Sequence, residues 1–120
     1  MLKYHTSGDK PVIAELTDKE YIIAEVQDVL DLIGNLGTYD CNRIIIDETN
    51  FHPDFFRLET RLAGDILQKF SNYRVRLAIT GDFARYNSRA LQDFIRESNK
   101  GSQVLFVSDA AVALKALSTR

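Results

Sequence analysis

The sequence predicts an α/β fold: a five-stranded, mixed and mostly parallel sheet with four main helices, in the order ββαβαβαβα. Three observations predict it. Short aliphatic runs recur along the chain, the clearest being Arg43-Ile44-Ile45-Ile46-Asp47. Between them lie stretches with apolar residues three and four apart. Turn-forming Gly, Asn, Ser and Pro mark the junctions.

Residues 2–6 and 11–16 form a hairpin around Ser7-Gly8-Asp9-Lys10-Pro11, a strong turn signal. Thr17-Asp18-Lys19-Glu20 fits a capping box, so the first helix starts between Asp18 and Glu25. Ile22, Val26, Val29, Leu30, Ile33 and Leu36 give its period, and Gly37 is positioned to end it in the left-handed conformation. The β-branched run 43–47 matches a strand buried on both faces, hence an interior parallel position. Pro53 suits the first turn of a second helix carrying Phe55, Leu58, Leu62, Ile66 and Phe70, which Asn72 stops. Gly64 lies inside that helix, where it costs about 1 kcal/mol relative to Ala, so a close approach by a strand or a second subunit is expected there. Val75–Ile79 is a strand and Gly81 punctuates it. Asn87 or Ser88 caps a third helix with Leu91, Phe94 and Ile95 inward and Gly101 at its end. Val104–Val107 is the last strand, and Ser108 caps a final helix bearing Ala111, Leu114 and Leu117.

The 120 residues are expected to form a single domain. Hydrophobic residues at 45% and charged residues at 27% exclude a disordered chain. No apolar run approaches the length of a membrane span, so no membrane insertion is expected, and residues 1–10 carry no targeting pattern. Cys41 is the single cysteine, which fits a reducing cytoplasm and a small buried side chain. Charge is unevenly placed: residues 1–56 carry a net −7 and residues 57–100 a net +4. The overall charge of −2 and the lack of aromatic-interleaved basic clusters argue against a nucleic-acid partner.

Several segments resemble a known family. Phe55-Phe56-Arg57-Leu58, Leu62-Ala63-Gly64-Asp65-Ile66-Leu67-Gln68-Lys69-Phe70, Tyr73, Leu77-Ala78-Ile79-Thr80-Gly81-Asp82-Phe83 and Asn99-Lys100-Gly101 are similar to a bacterial family known only as a domain of unknown function. That likeness runs from about residue 28 to 117 and brings no activity with it. The ββαβαβαβα order, and the ending Phe106-Val107-Ser108-Asp109-Ala110-Ala111-Val112-Ala113-Leu114, also resemble STAS domains, the fold of anti-sigma-factor antagonists. This second resemblance implies a non-catalytic partner-switch module. Its phosphorylatable Ser or Thr, in an Asp-Ser-x-Gly-like setting, has no matching motif here; Thr60 and Thr49 are the nearest counterparts.

In parallel α/β sheets ligands gather at the carboxyl ends of the strands. The expected binding residues are therefore Asp47, Thr49, Asn50 and His52 after one strand, and Asp82, Phe83, Arg85, Tyr86 and Asn87 after the next, with Ser108-Asp109 nearby. The same residues are also ordinary caps and turn formers. No catalytic residue, metal site or cofactor is assigned: Asp47 and Glu48 should point to opposite faces, Cys41 has no histidine close in sequence, and Gly81 belongs to no phosphate loop. The function expected is a cytoplasmic bacterial module that binds a protein partner through these loops, with a second copy of the chain as a candidate partner. A small anionic or nucleotide-like ligand is the alternative, and a hydrolase-type enzyme comes third.

Overall fold

The computed structural model describes residues 1–119. Five strands form one sheet whose spatial order follows the chain: β1 (Leu2–His5), β2 (Ile13–Leu16), β3 (Arg43–Asp47), β4 (Arg76–Thr80) and β5 (Val104–Val107). The β1–β2 hairpin is antiparallel, with Leu2 opposite Leu16 and His5 opposite Ile13. The remaining pairs are parallel, with Ile45 beside Glu15 on one side and Ala78 on the other. The α/β class, the mixed sheet and the element order agree with the sequence prediction.

Alternation along each strand divides the side chains between two faces. Ala14, Leu16, Ile44, Ile46, Leu77, Ile79, Val104 and Phe106 face the main core. Three helices cover it: α1 (Val26–Thr38) through Val29, Leu32 and Leu36; α2 (Leu62–Asn72) through Ala63, Ile66 and Phe70; and α3 (Arg89–Lys100) through Leu91 and Ile95. Because the strand order never reverses, crossovers of one hand place all three on the same side. The opposite face receives only α4 (Ala110–Leu117), which packs Ala113 and Leu117 on Ile13, Ile45 and Ala78.

Five local expectations are corrected. Residues 17–25 are not helical: Ile23 is fully buried in an isolated parallel bridge to Phe51, and Ile22 is exposed. The capping box lies further on, at Glu25 and Asp28, so α1 begins only at Val26. Gly37 remains helical; Asp40 takes the left-handed conformation (φ 53°), which a short polar residue tolerates. The second helix does not start at Pro53. Two 3-10 turns, Pro53–Phe56 and Leu58–Thr60, come first. The Thr60 hydroxyl sits 2.7 Å from Asp54 O and 2.8 Å from Arg57 O, closing a turn that competes with a helix, and Arg61 (φ 67°) redirects the chain into α2. At the last helix Asp109, not Ser108, supplies the cap, accepting from Val112 N at 2.9 Å; Ala111 is exposed and Ala113 takes its place inside. Gly64 is exposed, and a Cβ added there would meet nothing within 4 Å, so no strand lies beneath it.

Candidate functional site

Asp47 and Thr80 end β3 and β4 side by side. Beyond them the chain enters tight turns, and two consecutive acidic residues take opposite directions. Asp47 stays on the α4 side. Its Oδ2 accepts from Thr49 N (3.1 Å) and Thr49 Oγ1 (2.7 Å), and its Oδ1 accepts from Thr80 Oγ1 (2.8 Å). Burial raises this carboxyl's pKa, but those three hydrogen bonds and the charge of Lys19 together outweigh it, and the group lies below its ordinary value.

Glu48 turns the other way and is nine-tenths buried. Its Oε2 accepts from Arg85 Nη2 and from the Tyr86 hydroxyl, both at 2.8 Å, and its Oε1 accepts from Asp82 N at 3.3 Å. The carboxylate lies directly over Gly81: a Cβ at that position would sit 2.6 Å from Glu48 Cδ. Gly81 is therefore less a strand punctuation than the space that lets Glu48 cross to the next loop. Arg85 rests on the Tyr86 ring, 4.4 Å from its centroid, and Tyr86 stacks on Phe56 at 4.8 Å. Further in, Phe55 meets Phe56 edge-on at 5.0 Å and packs tilted on Phe51 at 4.2 Å. Burial, followed by the hydrogen bond to Glu48, pushes the Tyr86 hydroxyl up to about 12, so it remains a donor at neutral pH. The same bond to Glu48 raises Arg85, against a smaller opposing effect of burial.

The divergence of Asp47 and Glu48 splits this rim into two cavities. The larger, about 640 Å³, is lined by Ile22, Glu48, Thr49, Phe51, Pro53, Phe56, Arg57, Arg85 and Tyr86. The smaller, about 350 Å³, opens on the α4 side and includes Glu15, Lys19, Asp47, Asn50, Thr80, Ser108 and Asp109. Of the residues singled out in the sequence, Thr49, Arg85 and Tyr86 thus meet in one cavity and Asp47 and Asn50 in the other.

The remaining residues do other work. Asn50 is buried, and its Nδ2 donates to Asp18 O and Tyr21 O at 2.9 Å, fastening the 17–25 segment to the end of β3. His52 Nδ1 accepts from Asp54 N at 3.0 Å; its polar side-chain contacts run to Asp54 and not to Asp47 or Asp82. Phe83 packs edge-on against Phe106 beneath the rim. Asp82 contributes its backbone N–H, Ser88 caps α3, and Asn87 is exposed outside both cavities. Thr49 and Thr60, the two phosphorylation candidates, are both exposed, each with its hydroxyl in a local hydrogen bond. Ile22, Phe51, Pro53 and Arg57 line the larger cavity and were not singled out as site residues. Only an exposed Ile beside a buried one could have hinted at the first of them, and a sequence does not reveal which of two adjacent isoleucines is which.

Among the described residues no group of three or more His, Cys, Asp or Glu side chains is placed to hold a metal ion, and no helix is long and apolar enough to cross a membrane. Fold and rim together define a single-sheet α/β protein with a cavity, floored by aromatic rings, at the carboxyl ends of its central strands. The chain belongs to the family described as Domain of unknown function (DUF4180), which matches residues 8–117 and so takes in β2 as well as the stretch whose resemblance was legible. No curated protein and no solved structure matches it.

Proposed function

We propose that the chain is a non-catalytic module of bacterial regulation, STAS-like in architecture, which docks a protein partner on the rim around the larger cavity. One observation carries this reading: the polar groups of the rim are committed to one another. Glu48 already takes three donors, Asp47 takes three, the Thr49 hydroxyl donates to Asp47, and the Ser88 oxygen caps α3. A general base or nucleophile works through a polar atom that is available to the substrate, and in this rim the carboxylates of Glu48 and Asp47 each already accept from three groups of the protein itself. What faces outward, above the nearly buried rings of Phe51 and Phe56, is the exposed Ile22, Pro53, part of Tyr86 and two guanidinium groups. That is the composition of a contact surface. The buried, unbridged Cys41 fits a cytoplasmic setting within the same reading.

Affinity capture from the native host, run in parallel with wild type and an Ile22→Asp variant, tests it. The expected result is a protein retained by the wild type and lost from the variant; identical recoveries count against the rim as the docking surface. Phosphorylation of Thr49, at the cavity mouth, would add roughly two negative charges there and so switch docking. Intact mass after incubation with host lysate and ATP reads this out directly.

A second reading, a small anionic or nucleotide-like ligand, is favoured by the two outward guanidinium groups of Arg57 and Arg85. A thermal-shift panel separates the two, since a ligand at a hundred times its Kd stabilises the fold by about 2.7 kcal/mol.

A further inference from the structure

We infer that the segment docking on this rim carries a bulky apolar side chain next to a carboxylate: the apolar group lies on the aromatic floor of the 640 Å³ cavity and the carboxylate bridges Arg57 and Arg85. The inference rests on the docking function proposed above and adds the chemistry of the partner.

The apolar half follows from how Ile22 is presented. It is 46% exposed while its neighbour Ile23 is fully buried. The backbone there is held on both sides, Ile23 N donating to Asn50 O at 2.7 Å and His52 N to Ile23 O at 2.9 Å. Ile22 is thus a fixed lip above Phe51 and Phe56. Phe51 and Phe56 are themselves only 4% and 6% exposed, so the surface that a second apolar group would remove from water is mainly that of Ile22 and the exposed Pro53.

The charged half follows from what lines the mouth. Glu48 is the single carboxylate among the lining residues, and it is buried and already takes donors from Arg85, Tyr86 and Asp82. The exposed charges are both cationic. Arg57 is 68% exposed, and its nearest carboxylate, on Asp54, is 3.8 Å away, beyond hydrogen-bonding distance. Arg85 uses Nη2 for Glu48 and Tyr86, and its Nη1 and Nε have no hydrogen-bond partner among the described residues. Its guanidinium is held by the ring below and the carboxylate behind, so little freedom is lost when a further carboxylate joins it. Planar carboxylates are what such a fork accepts best. An uncharged segment would leave the outward N–H groups of both guanidiniums to water, and a basic one would gain nothing from them.

Selection of random short peptides displayed on phage against the folded protein, followed by titration of the enriched sequences, tests this. The enriched peptides are expected to share an aromatic residue or Leu beside Asp or Glu. Arg57→Glu should weaken their binding on the order of tenfold or more, and Ile22→Ser should weaken it too, with the melting temperature of each variant close to wild type. Arg57→Gln serves as the second variant should Arg57→Glu disturb folding. Enriched peptides that lack an acidic residue, or that respond to Ile22→Ser and not to either Arg57 variant, overturn the carboxylate contact and leave docking intact. No enrichment, or binding indifferent to every variant, removes the docking function together with the inference. A wild-type dimer in sedimentation that Arg57→Glu dissolves, or a free aryl carboxylate that raises the melting temperature as much as the best peptide, assigns the cavity to a second copy or to a small molecule and overturns the proposal.

Discussion

The two faces of the sheet are built by different means. On one, three helices and the rings of Phe51, Phe55, Phe56 and Phe106 join the inward strand residues in one large apolar cluster. On the other, a single short helix covers Ile13, Ile45 and Ala78 with Ala113 and Leu117, leaving the outward side of the β1–β2 hairpin to a polar pair, His5 and Glu15, at 2.8 Å. Backbone clamps compensate on the thin face. Arg43 donates to Leu117 O and Thr119 O, and Arg76 donates to Thr119 O at 2.6 Å and to Ser102 O at 2.7 Å. The bonds to Leu117 O and Thr119 O place two cations at the carbonyl end of α4, where cations are favoured. The thick face therefore derives its stability from burial and can carry a cavity at its rim. The thin face derives more of its order from hydrogen bonds to one helix end.

Cavity-forming substitutions break or sharpen that contrast most strongly. Phe70→Ala, in the centre of the thick face, is expected to cost about 3–5 kcal/mol in urea unfolding, since Phe70 is fully buried. Leu117→Ala, equally buried on the thin face, should cost about 2 kcal/mol, at the lower end for such a change, because a small cluster collapses more readily around the gap. Equal losses would mean that the two faces are not distinct in kind. Hydrogen exchange adds detail: α4 amides should exchange through local opening and the β3 and β4 amides only through global unfolding.

Gly81→Ala tests the rim next. The added methyl would overlap the Glu48 side chain, and the displacement is expected to cost about 1–3 kcal/mol and to loosen the Arg85 and Tyr86 contacts. Tyrosine absorbance titration should then place Tyr86 nearer the ordinary phenol value. An unchanged titration would show that Glu48 does not hold that hydroxyl.

pH separates the faces by sign. Tyr86, on the thick side, has a folded pKa raised from 10.0 to about 12. Its contribution to stability is complete below pH 10 and is lost as pH rises toward 12, and Tyr86→Phe should remove that alkaline loss. Asp47, on the thin side, is lowered from 3.8. Its contribution is present above that value and disappears as pH falls through the depressed folded pKa, and Asp47→Asn should flatten the acid limb. Urea midpoints across both ranges check the two signs independently. The smallest effect is expected at Gly64→Ala, a gain of up to about 1 kcal/mol, because the position is helical, exposed and open to a methyl group. A loss there would reveal a contact made only with a partner, most directly a second subunit.

Much of the scaffold was legible residue by residue. The run Ile44-Ile45-Ile46 is a doubly buried central strand, and Val104–Val107 is a strand to the residue. Ser88 caps α3 as expected, accepting from Leu91 N at 3.2 Å. Where prediction failed, a tertiary contact outweighed a local preference. The capping pattern at Thr17-Asp18-Lys19-Glu20 is a sound local signal, yet Asn50 and the Ile23–Phe51 bridge hold that segment extended. The helical period through Phe55 and Leu58 is equally sound, yet hydrogen bonds around Thr60 divide it into short turns.

Local patterns in the sequence were enough to place the five strands, the central turns of the four helices and the shared rim of their connections, because strand alternation and helical period are written within a few neighbouring residues; the extended 17–25 segment and the short turns of 53–60 were not readable from them. The tertiary structure alone decided that Glu48 crosses Gly81 to reach Arg85 and Tyr86, that Ile22 faces outward while Ile23 lies in the core, and that one face is thick and the other thin. Those partners lie more than 30 positions apart in the chain, and their pairing depends on the lateral order of strands and on which face each helix covers, neither of which is encoded in any local stretch.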